Sequence, residues 1–174
     1  MSPAAILAEL DAVFDGFDAA PLDRLAERIG EAGRVVCAGQ GRSGMVAAAL
    51  AVRLVHLGVV AHVAGEATQP AVGRGDLLVA FSRTGETAMS IHQAERARAA
   101  GAGIAVVTGR AEGALARLAD ALVLVPSAAV RSGQHAGSLF EQAALIAADC
   151  MAARLQRARG LGHDVLSARH DNLQ

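Results

Sequence analysis

A chain of 174 residues with 53% hydrophobic and 19% charged residues suits one globular domain with one sizeable core, and excludes a disordered segment. A net charge of −1 leaves no basic footprint for duplex nucleic acid, and 2% aromatics, with no Trp or Tyr, leave no stacking platform for single strands. No apolar stretch is long enough to span a membrane, and the start lacks the cationic and apolar regions of a signal peptide. Cys37 lies in an apolar run and Cys150 in an Ala-rich helical pattern, without metal-ligand spacing. Two buried thiols fit a reducing, cytoplasmic location.

In chain order, Ile6, Leu7, Leu10, Val13 and Phe14 recur on one face of a helix from Pro3 to about Phe14. Leu22, Leu25, Ala26 and Ile29 continue the period in a second helix that Gly30 and Gly33 end. Arg34 to Ala38, stopped by Gly39, is a short continuous apolar run, as in a strand buried on both faces. Then follow a helix over Ser43 to His56, strands over Val59 to Ala64 and Leu77 to Phe81, and a helix over Thr87 to Ala100. Ile104 to Thr108 is a strand, Ala111 to Leu118 a short helix, Ala121 to Val125 the fifth strand, and Ser127 to Gly137 a loop. A long helix, apolar almost all round, runs from Leu139 to about Arg159. Alternating strands and helices predict an α/β fold with a parallel sheet covered on both faces, a single domain over residues 1–174. Residues 1–32 form its N-terminal helices and residues 160–174 a tail. Ligands in such sheets bind beyond the carboxyl ends of the strands.

Two motifs lie there. Gly39-Gln40-Gly41-Arg42-Ser43-Gly44 follows a strand and opens a helix, and it satisfies the dinucleotide pattern G-x-G-x-x-G. Its glycines allow close backbone approach, and the helix start offers free N–H groups to an anion. The dinucleotide reading wants an acid about 20 residues on, after the second strand, and Glu66 falls too late. The remaining readings are a phosphate turn with Ser43 as donor, or a plain tight turn. Ser82-Arg83-Thr84-Gly85-Glu86-Thr87 follows the third strand and clusters three hydroxyls at another helix start. It reads either as a phosphate cradle or as a capping box with Thr84 at the N-cap.

Together these two turns resemble the phosphate loops of SIS (sugar isomerase) domains. Further segments resemble the 6-phospho-3-hexuloisomerases of that family. They are Val52 to Gly58, Gly65 to Pro70, Gly137-Ser138-Leu139-Phe140-Glu141-Gln142, and the terminal Arg169-His170-Asp171-Asn172-Leu173. Arg83 stands where the family usually has a small residue, and His135 where it usually has proline. The resemblance implies a three-layer αβα sandwich, flavodoxin-like or Rossmann-like, with a five-stranded parallel sheet. It implies a homo-oligomer, dimer or tetramer, with composite sites. The reaction it implies moves a carbonyl between C3 and C2 of a phosphorylated hexulose through an enediol, in formaldehyde assimilation through ribulose monophosphate or its reverse.

That reaction needs a base and, in principle, neither metal nor organic cofactor. Glu141, beside apolar Leu139 and Phe140, is the leading base; charge complementation at a helix start is the other reading. Gly41, Arg42, Ser43, Ser82, Arg83, Thr84 and Thr87 are the expected phosphate and substrate contacts, and Glu66 the candidate for sugar hydroxyls. His170 is the histidine that the resemblance singles out as a proton relay, in a tail free to leave its own domain and reach a neighbour's Glu141. A helix apolar on every side, as over Ala143 to Met151, is buried on every side, by another subunit or by the N-terminal helices. Competing readings are a non-catalytic sugar-phosphate sensor, an isomerase of arabinose 5-phosphate or sedoheptulose 7-phosphate, and a dinucleotide-binding module.

Overall fold

The computed structural model describes residues 1–170, so Asp171, Asn172, Leu173 and Gln174 lie outside the described residues. Five parallel strands form one sheet: β1 (Val35–Gly39), β2 (Ala61–Val63), β3 (Leu77–Ser82), β4 (Gly103–Thr108) and β5 (Ala121–Leu124). Their order is β2-β1-β3-β4-β5, the flavodoxin-like order. The helices are α1 (Pro3–Asp15), α2 (Ala20–Glu31), α3 (Arg42–His56), α4 (Ala88–Ala99), α5 (Ala114–Arg117), α6 (Ser138–Ala158) and α7 (His163–Ser167).

The apolar runs follow from the two-sided cover. Along β1 and β3 successive side chains turn to opposite faces. Val35, Cys37, Val79 and Phe81 join the core under α2, α3 and α6. Val36, Ala38, Leu78 and Ala80 face the other way, toward α4 and α5. Every residue of β3, the central strand, is buried. Small residues let the layers close: Ala47 and Ala51 of α3 are buried, as are Ala143, Ala144, Ala147 and Ala148 of α6. At the amino end of the sheet Arg34 clamps Asp76 through two bonds, Nε to Oδ1 at 3.0 Å and Nη2 to Oδ2 at 2.7 Å. Burial opposes ionisation of Asp76. The Arg34 bonds, the Gly73 N–H and the Arg34 charge outweigh it and hold the carboxyl below its usual range.

Several expectations are corrected. β2 is only three residues long, because as an edge strand it pairs with β1 alone. α5 shrinks to Ala114–Arg117, and one 3₁₀ turn, Ser127–Ala129, interrupts the loop after β5. Cys37 is buried, its thiol pushed up to about 12 by desolvation, but Cys150 is exposed on α6. Within one chain α6 is not buried all round. The N-terminal helices α1 and α2 and helix α3 cover one broad side, and Leu145 and Ile146 face outward. The tail is not free as far as His170. Leu166 packs on the core, and Arg169 donates from Nη1 to the His56 carbonyl at 3.3 Å. Among the described residues, no helix is long and apolar enough to cross a membrane.

Candidate active site

β1 and β3 lie side by side, but their chains leave toward opposite faces, β1 into α3 and β3 into α4. This is the topological switch point, where the carboxyl ends of the strands open a crevice. Both hydroxyl- and glycine-rich turns border it. In the first turn the glycines have separate tasks. A Cβ on Gly39 would stand 2.5 Å from the Ser43 carbonyl oxygen, so the strand end and the helix start touch backbone to backbone. Gly41 turns the chain at φ 56°, and the space where its Cβ would lie is empty. Ser43 is buried in the first turn of α3, and Arg42 beside it is exposed.

The second turn is a hydroxyl cradle. Ser82 is buried at the end of β3; its Oγ accepts from the Gly85 N–H at 3.2 Å and shares a hydrogen bond with Thr87 Oγ1 at 3.2 Å. Thr84 Oγ1 accepts from the Glu86 N–H at 3.2 Å. The capping-box reading is corrected here. The N-cap of α4 is Thr87, not Thr84, and its side chain makes no bond to its own helix. The first N–H groups of α4 are therefore left to solvent or to an anion. Glu86 turns away from the cradle, accepting from the Ala114 N–H at 2.8 Å and fastening α5.

Glu141 approaches the crevice from the first turn of α6. Leu139 and Phe140 beside it are buried in the core, but the carboxylate is not left among apolar groups. It meets Arg42 instead, whose Nε donates to Oε2 across the gap between α3 and α6. Only 14% of the Glu141 side chain stays exposed. Gly137, the N-cap of α6 at φ 96°, makes room: a Cβ there would lie 3.2 Å from Glu141 Oε1 and 3.8 Å from Arg83 Nε. The loop before α6 is held from below by α1. Ser132 Oγ, the Gly133 N–H and Gln134 Nε2 all donate to the Glu9 carboxylate, and these bonds hold it below its usual range.

The structure thus brings together Arg42, Glu141 and Arg83, and beside them Ser82, Thr84 and Thr87. Glu66 sits in the exposed turn after β2, and its N–H donates to the Val63 carbonyl. His170 lies elsewhere. Its ring lies tilted against that of His56, the last residue of α3, with centroids 4.0 Å apart. Arg42 opens that 15-residue helix, so about 20 Å of helix separates His170 from the Glu141 of its own chain. Burial, then the charges of His170 and Arg53, hold the His56 imidazole below its usual value. His135 does reach the site. It lines a cavity of about 310 Å³ together with Arg83 and Arg110. Arg110 was not singled out from the sequence, although its place just after β4, at the carboxyl edge of the sheet, was a signal.

The SIS domain profile matches residues 28–147. The chain belongs to the SIS domain family. Its SIS-family relatives include a 3-hexulose-6-phosphate isomerase of Mycobacterium gastri, 42% identical over 156 residues, covering 86% of this chain and 78% of the relative. Another, of Bacillus subtilis, is 33% identical over 159 residues, covering 87% of this chain and 86% of the relative. Among solved structures, a Methanococcus jannaschii protein superposes with a TM-score of 0.87 at 28% identity, covering 98% of each chain. That crystal structure was taken to imply a 3-hexulose-6-phosphate isomerase.

Proposed function

We propose that the chain interconverts 3-hexulose 6-phosphate and fructose 6-phosphate. The observation that carries this reading is the Glu141 carboxylate, held by Arg42 at the edge of a hydroxyl cradle at the switch point. The 42% identity to the Mycobacterium gastri isomerase supports the same substrate. In this reading Ser82, Thr84, Thr87 and the N–H groups at the start of α4 receive the phosphate. Ser43, Gly41 and Arg83 border it, and Glu66 supports the sugar hydroxyls. Glu141 takes the proton from C2, next to the C3 carbonyl. A 2,3-enediol forms, and the proton returns to C3 as the carbonyl settles at C2. Arg42 fixes the carboxylate for that transfer, and its cation lies close to the charge that develops on the enediol oxygens. The chain supplies these groups itself, and the reading calls on no cofactor.

The same reading makes the protein a cytoplasmic enzyme of sugar-phosphate metabolism, serving formaldehyde assimilation through ribulose monophosphate or its reverse. It acts as a homo-oligomer, dimer or tetramer. Exposed Met45 and Val52 on α3, with Leu145 and Ile146 on the adjoining α6, support a second copy there. His170 then serves a neighbour's Glu141. The test is direct conversion of 3-hexulose 6-phosphate to fructose 6-phosphate by the purified chain, with arabinose 5-phosphate and sedoheptulose 7-phosphate as competing substrates. Turnover of the hexulose at a kcat/KM at least tenfold above the others is the expected result. Binding without turnover of any of the three would refute the reading and leave a sensor.

A further inference from the structure

The cavity of about 310 Å³ beside Glu141 holds, next to Arg83, a second arginine that the isomerase reading does not use. Arg83 and Arg110 both line it, with Ser127 and His135, and no Asp or Glu does. Among the described residues, neither arginine has a carboxylate within ion-pair distance, whereas Arg34, Arg42, Arg53, Arg98 and Arg154 each have one. Nearby acids are engaged elsewhere: Glu141 by Arg42, Glu86 by the Ala114 N–H, and Glu9 by the loop it anchors. Glu112 lines a neighbouring hollow that Arg110 also borders.

Behind the cavity, Gly109 packs against three of its lining residues, Arg83, Ser127 and Phe140. The Gly109 N–H donates to the Arg83 carbonyl at 3.2 Å, tying the second phosphate turn to the end of β4. A Cβ on Gly109 would stand 2.8 Å from that carbonyl, 3.4 Å from Ser127 Oγ and 3.6 Å from the Phe140 ring. Three segments therefore converge where no side chain intervenes. Two like charges facing one hollow repel each other, and an anion between them removes that cost. Guanidinium forks suit phosphate in particular. Neighbouring strands are about 4.8 Å apart, so the cavity at the end of β4 lies roughly 5–10 Å from the cradle at the end of β3. A six-carbon sugar covers that span.

We propose that the Arg83–Arg110 cavity receives a second phosphate group, so that the site takes a sugar phosphorylated at both ends as a ligand that excludes the substrate. This rests on the reading of the Ser82 to Thr87 turn as the first phosphate cradle. The test is calorimetric titration of the full chain with fructose 6-phosphate, fructose 1,6-bisphosphate and orthophosphate. The bisphosphate is expected to bind about tenfold or more tighter than the monophosphate. Arg110→Gln should bring the ratio of the two affinities close to one. Ser82→Ala with Thr87→Ala should weaken both sugars and keep the ratio. Orthophosphate, which reports a site for free phosphate, should occupy two places per chain, one lost in each variant. A ratio near one in the parent, or a preference that survives Arg110→Gln, overturns the proposal. Sugar affinities untouched by the Ser82 and Thr87 changes overturn the cradle reading instead, and leave an Arg110-dependent phosphate site standing by itself.

Discussion

Glu141 and Arg42 come from different helices, and their pairing defines what each can do at the reacting carbons. A carboxylate held by a guanidinium is oriented as well as charged. Glu141→Gln keeps the shape and one hydrogen bond but cannot accept a proton. It should lower kcat on the order of 10² or more and leave KM within a few-fold. Steady-state kinetics decide it, and a few-fold loss in kcat moves the base elsewhere, Glu66 being next. The cradle separates from this by its kinetic signature. Ser82 and Thr87 hydroxyls each offer a charge-assisted bond of about 1.5–3 kcal/mol to phosphate. Replacing both with Ala should raise KM on the order of 10² with a smaller change in kcat. Because the two hydroxyls also bond each other, Thr87→Ser is the control, and it should restore most of the loss. A double variant with parental KM would empty the cradle of its assigned task.

At the scale of elements, the sheet depends on how its two longest-range neighbours are stapled. Arg34 precedes β1 and Asp76 precedes β3, and their two parallel hydrogen bonds fix the register of the central pair from below the site. Asp76 ionises more readily in the folded chain than in the unfolded one. Its stabilisation is therefore complete above about pH 4, the unfolded value, and is lost as pH falls through the lower folded value. Asp76→Asn should cost about 1–3 kcal/mol near neutral pH. It should also flatten the acid side of the stability curve, as denaturant unfolding between pH 2 and 6 would show. An equal acid slope in parent and variant places the acid sensitivity in other carboxylates. The strands and helices around this staple were legible because apolar runs and helical periods follow directly from two-sided burial. The glycine- and hydroxyl-rich turns were legible because such residues stand where strands end. The Thr87 cap and the Arg42–Glu141 pair were not. Each depends on which side chain meets which across a fold, and residues 42 and 141 are joined only by the packing of α3 on α6. The docked tail was missed because α7 spans five residues and depends on one apolar anchor, Leu166.

At the scale of the whole molecule, the placement of His170 decides how many chains make one active site. Within a chain, His170 lies at the His56 end of α3, and Glu141 stands at the Arg42 end. The outer sides of α3 and α6 carry exposed Met45, Val52 and Leu145 between those ends. In the proposed oligomer, a two-fold axis on this face and perpendicular to α3 would set the partner's α3 antiparallel. That arrangement carries the tail of one chain toward the Glu141 end of the other. Met45→Asp should then lower the oligomer to a smaller species by sedimentation, with loss of activity. Deleting residues after 167 keeps Leu166 and should spare the fold and the oligomer while sharply reducing kcat. Mixing this truncated chain with Glu141→Gln separates the two geometries. If tails act across the interface, the mixed dimer joins the intact Glu141 of one chain to the intact tail of the other. Half the dimers are mixed and each holds one complete site, so roughly a quarter of parental activity should return from two nearly inactive chains. If each tail acts only on its own chain, or only props up the end of α3, no mixture regains activity, and the truncated chain alone sets the rate.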